Sequence, residues 1–151
     1  MALSLRETTD YAIAHPWESI QAAIGVVGIR PGSHLLDVGC GPGAHLGLFL
    51  AAIGAGGRVT GCDADAERLA VAADIWHEAV AQGTLALQTG DMQALPYADA
   101  TFDVTWCSLV LHHAQDPDQL LAEMARVTRP GGTVAILDGD AGLSFPVAPW
   151  P

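Results

Sequence analysis

The stretch "LLDVGCGPGAHLGLFL" (35–50) constrains this chain more than any other. An apolar run ends on an aspartate, three glycines and a proline follow within five residues, and a second apolar run begins. "HLLDV" (34–38) reads as a short strand buried on both faces. Residues 43–53 read as a helix, which "GAGG" (54–57) stops. A strand that passes through a glycine turn straight into a helix is half of a βαβ unit, and it calls for a parallel neighbour. Glycine allows positive φ and carries no Cβ, so Gly39, Gly41 and Gly43 suit a backbone that approaches a bound molecule closely.

The remaining segments supply the neighbours. "RVTGCD" (58–63) is a second strand. Leu69, Ala73, Trp76 and Val80 then fall on one face of a helix over 66–80. "TLALQTGD" (84–91) is a third strand, and "FDVTWCSLVLHH" (102–113) carries a fourth, ending on two histidines. Leu120, Met124 and Val127 line a helix that Pro117 begins and Pro130-Gly131-Gly132 closes, before "GTVAILD" (132–138) as a fifth strand. Upstream, "WESIQAAIGVVGI" (17–29) is helical and Arg30-Pro31-Gly32 terminates it. The alternation predicts an α/β fold: a doubly wound, mainly parallel sheet with helices on both faces. Three parts follow: a helical lid or cap over 1–32, a ligand-binding domain over 33–138 and a Pro-rich extended tail over 139–151. In such a sheet ligands lie at the carboxyl ends of the strands, beside the switch point, where the first glycine turn stands.

Composition narrows the ligand. Six Lys and Arg against seventeen Asp and Glu give a net charge of −11, which cannot build the basic stripe that a nucleic-acid backbone or an anionic membrane requires. No apolar run reaches the roughly 18 residues of a membrane span, and MALSLRETTD has no secretory pattern, so a cytoplasmic protein is expected. Cys40, Cys62 and Cys107 lack metal or redox spacing and read as buried thiols, with no metal site.

Gly39, Gly41 and Ala44 satisfy G-x-G-x-x-G/A, and Asp63 follows at about the ~20-residue distance of a ribose-binding carboxylate. Alone, this suits NAD as well as other nucleosides. Together with "GCDAD" (61–65), "GDMQALPYADATFDVTWCSLVLHH" (90–113) and "LLAEMARVTRPGGTVAILD" (120–138), however, "LLDVGCGPG" resembles motif I of the class I S-adenosylmethionine-dependent methyltransferases. The nearest subgroup is the ubiquinone/menaquinone-biosynthesis type. The resemblance spans residues 33 to 138 and implies a Rossmann-like fold, S-adenosylmethionine (AdoMet) as cofactor, S-adenosylhomocysteine (AdoHcy) as product and a small-molecule methyl acceptor.

Carried over by motif, Asp37 and the backbone of Gly39, Cys40, Gly41 and Gly43 would hold the methionine end of the cofactor. Asp63 would accept both ribose hydroxyls, Ala64 would pack against the adenine, Asp91 would accept from its amino group and Met92 would cover the ring. Ser108 would lie beside the sulfonium. Tyr11, His15 and Trp17 are candidates for the lid. His112 and His113 are candidates for a general base; if the strand persists there, successive residues face opposite ways, so one at most would reach the site and a His-His metal pair is not expected.

The family fold continues beyond the fifth strand with a helix and two more strands, which this sequence lacks. The fifth strand is therefore expected as an open edge, covered by the tail, by a second copy or by a partner chain. Two other readings stay open: an AdoMet- or partner-binding module without turnover, and an NAD-linked oxidoreductase.

Overall fold

The computed structural model describes residues 4–14 and 18–138; the tail 139–151, with His15 and Trp17, lies outside the described residues. The elements run α1 (Leu5–Ala14), α2 (Glu18–Val27), β1 (His34–Val38), α3 (Leu46–Ile53), β2 (Arg58–Asp63), α4 (Ala66–Ile75), α5 (His77–Ala81), β3 (Leu85–Thr89), β4 (Phe102–Ser108), α6 (Pro117–Val127) and β5 (Thr128–Leu137), with a 3-10 turn at Leu111–His113. The five strands form one parallel sheet in the order β3-β2-β1-β4-β5. The chain winds outward from β1 one way and from β4 the other, so the switch point lies between these two central strands.

Alternation along the strands sorts the core into two layers. Leu35 faces one side with Val59, Val104 and Trp106, covered by Ile20 of α2, Leu46, Phe49 and Ile53 of α3 and Leu69 and Ala72 of α4. Leu36 and Val38 face the other with Phe102 and Cys107, covered by Leu120, Met124 and Val127 of α6. The three α6 residues are spaced i, i+4, i+7 and form one apolar stripe. All three cysteines are free and buried, as their apolar settings predict.

Several boundaries differ from the pattern in the sequence, each for a local reason. The first helix after the glycines starts at Leu46 rather than 43, because the loop uses positive φ at Gly39, Gly41 and Gly43. The helix predicted over 66–80 breaks at Trp76, whose backbone leaves helical geometry. Val80, placed on its apolar face, is exposed. The fourth strand stops at Ser108, where Leu109 takes φ +59°, and the two histidines belong to the 3-10 turn. Pro130-Gly131-Gly132 does not close α6. Thr128 ends that helix by turning extended, its hydroxyl donating to the Met124 carbonyl (2.7 Å), and the glycines sit inside β5 at a register shift against β4. A Cβ on Gly132 would stand 2.6 Å from the Asp103 carbonyl oxygen.

Two side chains tie loops to this frame. Asp65 caps α4, accepting from the N–H groups of Glu67 (2.9 Å) and Arg68 (3.2 Å), a cap worth about 1 kcal/mol. Arg126 of α6 donates to the carbonyls of Leu95 (3.0 Å) and Tyr97 (2.8 Å) and pairs with Glu123, pinning the segment that leads into β4.

The indole of Trp76 fills the space above α3. Its Nε1 donates to the Gly43 carbonyl at 2.9 Å, and a Cβ on Gly47 would stand 2.4 Å from its ring. Gly47 lies inside a helix, where alanine would otherwise be favoured by about 1 kcal/mol. Gly47→Ala is therefore expected to destabilise by about 1–3 kcal/mol through overpacking in urea unfolding, and to turn neutral or stabilising in a Trp76→Leu background.

Candidate functional site

A cavity of about 510 Å³ opens at the carboxyl ends of β1, β2 and β4, at the switch point. Asp37, Gly39, Cys40, Gly41, Asp63, Ala64, Met92, Ser108 and His113 all line it. So of the residues that the sequence proposed, nine meet in one place. Gly43, Asp91 and His112 do not line it.

The floor is the glycine loop, hung from the end of β2. The Gly39 and Cys40 N–H groups both donate to the Cys62 carbonyl (2.7 and 3.1 Å), and the Gly41 N–H donates to Asp63 Oδ2 (2.7 Å). Asp63 Oδ1 accepts from the Asp65 N–H (2.9 Å). Each oxygen of a carboxylate has two acceptor sites, so Asp63 keeps one per oxygen for a diol. The glycines have separate reasons to be glycine. A Cβ on Gly39 would meet Val110 at 2.6 Å, and one on Gly43 would meet Leu46 and Trp76 at 2.9 and 3.0 Å. At Gly41 (φ +54°) nothing lies within 4 Å, so this is the glycine whose bare face is open.

Asp37 is the deepest charged group, only 3% exposed, and no described side chain or backbone group hydrogen-bonds its carboxyl. Burial, then the neighbouring Asp63 carboxylate, pushes it up to about 8. The thiols around it are inert: burial and then Asp37 raise Cys40, and the same two causes push Cys107 up to about 12. Asp37, Asp63 and Asp65 face a single guanidinium, Arg68, which pairs with Asp65 (3.3 Å). The site therefore carries negative charge and favours a ligand that brings positive charge.

The cavity also contains a residue that the sequence reading passed over. His45, at the start of α3, places Nδ1 3.3 Å from Ser108 Oγ, and burial lowers its pKa. Its signal was a histidine two residues after the third glycine, facing the loop side of a helix start. The two histidines that were singled out are side by side, ring centroids 4.0 Å apart, in the 3-10 turn and not on opposite faces of a strand. His112 Nδ1 pairs with Asp138 Oδ1 (3.0 Å) away from the cavity. Asp91 is exposed, and its Oδ1 accepts from the Gln93 N–H (2.8 Å).

The methyltransferase domain family matches residues 36–136, from β1 through β5. The chain belongs to that family. It is 42% identical over 105 residues to a malonyl-[acyl-carrier protein] O-methyltransferase of Erwinia billingiae, covering 70% of this chain and 38% of that protein. It is 37% identical over 124 residues to a 2-phytyl-1,4-naphtoquinone methyltransferase of Synechocystis, covering 82% and 51%. A solved SAM-dependent methyltransferase from Aquifex aeolicus shares the fold, with TM-score 0.76 at 20% identity over 95% of this chain and 79% of that one. Phosphoethanolamine N-methyltransferase 2 of Haemonchus contortus, solved with AdoMet, superposes with TM-score 0.71 at 26% identity, over 80% of this chain and 27% of that one. The two curated relatives named here extend well beyond the match, so that this chain spans about half of their length or less. Its Rossmann-like class I methyltransferase sheet is the one that the sequence predicted, and AdoMet is the cofactor of the family.

The unpartnered Asp37 makes a prediction about stability. Because its folded pKa lies above its unfolded one, the native state holds a proton that the unfolded chain has released. That contribution is full below about pH 4 and is lost as pH rises toward 8, at most about 1.4 kcal/mol per pH unit. Asp37→Asn removes this loss. Its melting temperature without ligand, minus that of the wild type, is expected to grow steadily from pH 5 to 8 in differential scanning calorimetry.

Proposed function

We propose that this chain binds AdoMet in the switch-point cavity and transfers its methyl group to a small-molecule acceptor by direct displacement. The observation that carries the reading is the pairing of two unlike receptors in one cavity. Asp37 is a buried carboxylate without a partner, while the Ala44 and His45 N–H groups, at the opening of α3, make no hydrogen bond among the described residues. A carboxylate facing free N–H donors at a helix start fits a zwitterion, which is the amino-acid end of AdoMet. Asp63, with one free acceptor site per oxygen, suits the ribose diol, and Ala64 and Met92 offer apolar surface for the adenine. Asp91 is assigned the adenine amino group by motif; from its exposed position it would reach that group at the rim.

When bound, the cofactor supplies an activated methyl on a sulfonium that leaves as a neutral thioether. The chain's own part is alignment: Asp37 and the loop hold one end, Asp63 the middle, and Ser108 stands on the β4 wall between them and the acceptor side. The acidic lining favours the cationic cofactor over the neutral product, which assists release. An NAD-linked reading has no comparable support, since a dinucleotide pyrophosphate at the glycine loop would lie in the cavity that the buried Asp37 lines.

The finer organisation belongs to the same proposal. The segment 1–32 is assigned the role of a cap: its helix α1 packs on α4, Arg6 pairing with Asp74, and Tyr11 is exposed. No described helix is long and apolar enough to cross a membrane, which accords with a cytoplasmic enzyme. Among the described residues β5 pairs with β4 alone and exposes Val134 and Ile136, 39% and 37%; a second copy is the cover proposed for this edge.

Calorimetric titration with AdoHcy tests the reading. Micromolar binding is expected, weakened at least 30-fold by Asp63→Ala with an unchanged circular dichroism spectrum; a folded wild-type chain that binds NADH but not AdoHcy overturns it. For the edge, sedimentation velocity is expected to show a dimer that Ile136→Lys converts to monomer.

A further inference from the structure

Resting on the AdoMet reading above, we propose that His45 is the proton acceptor of the transfer, held by Ser108 so that its Nε2 meets an acceptor carrying a removable O–H or N–H proton. Two elements that are distant in sequence bring the pair together. His45 stands at the N-cap of α3 and Ser108 at the last residue of β4, with Nδ1 and Oγ 3.3 Å apart, and both line the cavity. Ser108 is buried and bonds no other side chain among the described residues, so its oxygen can take the Nδ1 proton and fix the tautomer that leaves a lone pair on Nε2. Nε2 makes no hydrogen bond among the described residues.

The geometry also says why this histidine rather than the other two. His112 is tied to Asp138 outside the cavity, and His113 lies at the rim, exposed. With the ribose at Asp63 and the amino-acid end between Asp37 and the α3 opening, the sulfonium falls between them, toward the β4 wall where Ser108 stands. Burial lowers the pKa of the His45 imidazole, and the positive end of α3 acts in the same direction. The charged groups that share the cavity with it are Asp37 of β1, Asp63 of β2, Asp65 and Arg68 at α4, and His113 of the 3-10 turn.

The step balances as follows. A lone pair of the acceptor X–H forms the X–CH₃ bond as the S–CH₃ bond breaks, its electrons returning to sulfur as the thioether. The X–H proton passes to Nε2, so one positive charge leaves the sulfonium and one appears on the imidazolium. The imidazolium then releases the proton to water through the open mouth of the cavity. The acceptor class is thus a phenol, enol or primary or secondary amine rather than a carboxylate, tertiary amine or thioether, which have no proton to give.

No acceptor is needed for the test. Sinefungin carries an amine where AdoMet carries its sulfonium methyl, so in the wild-type chain that amine should donate to Nε2. Nitrogen-15 spectra of the imidazoles are expected to show His45 as the Nδ1–H tautomer, with its Nε2 resonance shifting on addition of sinefungin but not of AdoHcy. The preference for sinefungin over AdoHcy, read by calorimetry, should fall at least tenfold in His45→Phe and in part in His45→Gln, whose amide oxygen can still accept. An Nε2 resonance indifferent to sinefungin, or an unchanged preference in a His45→Phe chain that still binds AdoHcy, overturns the assignment and leaves the AdoMet reading standing. Absence of AdoHcy binding to the wild type overturns both. Because the spectral measurement uses the wild-type chain, it decides the matter even where a variant does not fold.

Discussion

Everything in the site depends on how the loop after β1 is hung from the end of β2. Two N–H groups share the Cys62 carbonyl and a third reaches Asp63 Oδ2, so three donors that a glycine turn would expose are satisfied by the neighbouring strand. That suspension holds the loop flat across the strand ends and leaves the cavity in front of it. It also spends one acceptor site of Asp63 on the protein, orienting the carboxylate before any ligand arrives.

The second support is steric. The glycine loop sits between Val110 on one side and Trp76 on the other, and two of its three glycines are there to admit those neighbours. The indole bond to the Gly43 carbonyl joins α4 to the loop, and α1 packs on α4 through Arg6 and Asp74. The N-terminal segment is thereby connected to the floor of the cavity through one helix. Against this rigidity stands Asp37, a carboxyl left without a hydrogen bond at the heart of the fold. Its burial opposes stability once ionised, and it is most simply understood as a group whose partner is the ligand.

Much of the fold was legible because period-2 and period-3.6 patterns are local. Leu35 and Leu36 on opposite faces, and Leu120, Met124 and Val127 on one, could be placed from spacing alone. The misplaced boundaries were those where distant residues intervene. Pro130-Gly131-Gly132 looks like a helix stop in isolation, yet the crowding against Asp103 that explains Gly132 comes from another strand. Leu109 at positive φ, which ends β4 and turns the two histidines away from strand geometry, has no sequence mark. His45 went unread for the same reason: its partner Ser108 lies 63 positions away.

The sequence by itself determined the parallel sheet, the crevice in which a ligand would sit and the carboxylates of β1 and β2 that face it, because a strand, a glycine turn and a helix in succession leave one short connection and one open end. Only the tertiary structure decided which glycine faces open space, that burial beside Asp63 raises the pKa of Asp37, and that His45 rather than a strand-end histidine meets Ser108. Those outcomes depend on contacts between elements far apart in the chain, and on how much water each group loses when they close, which no local pattern records.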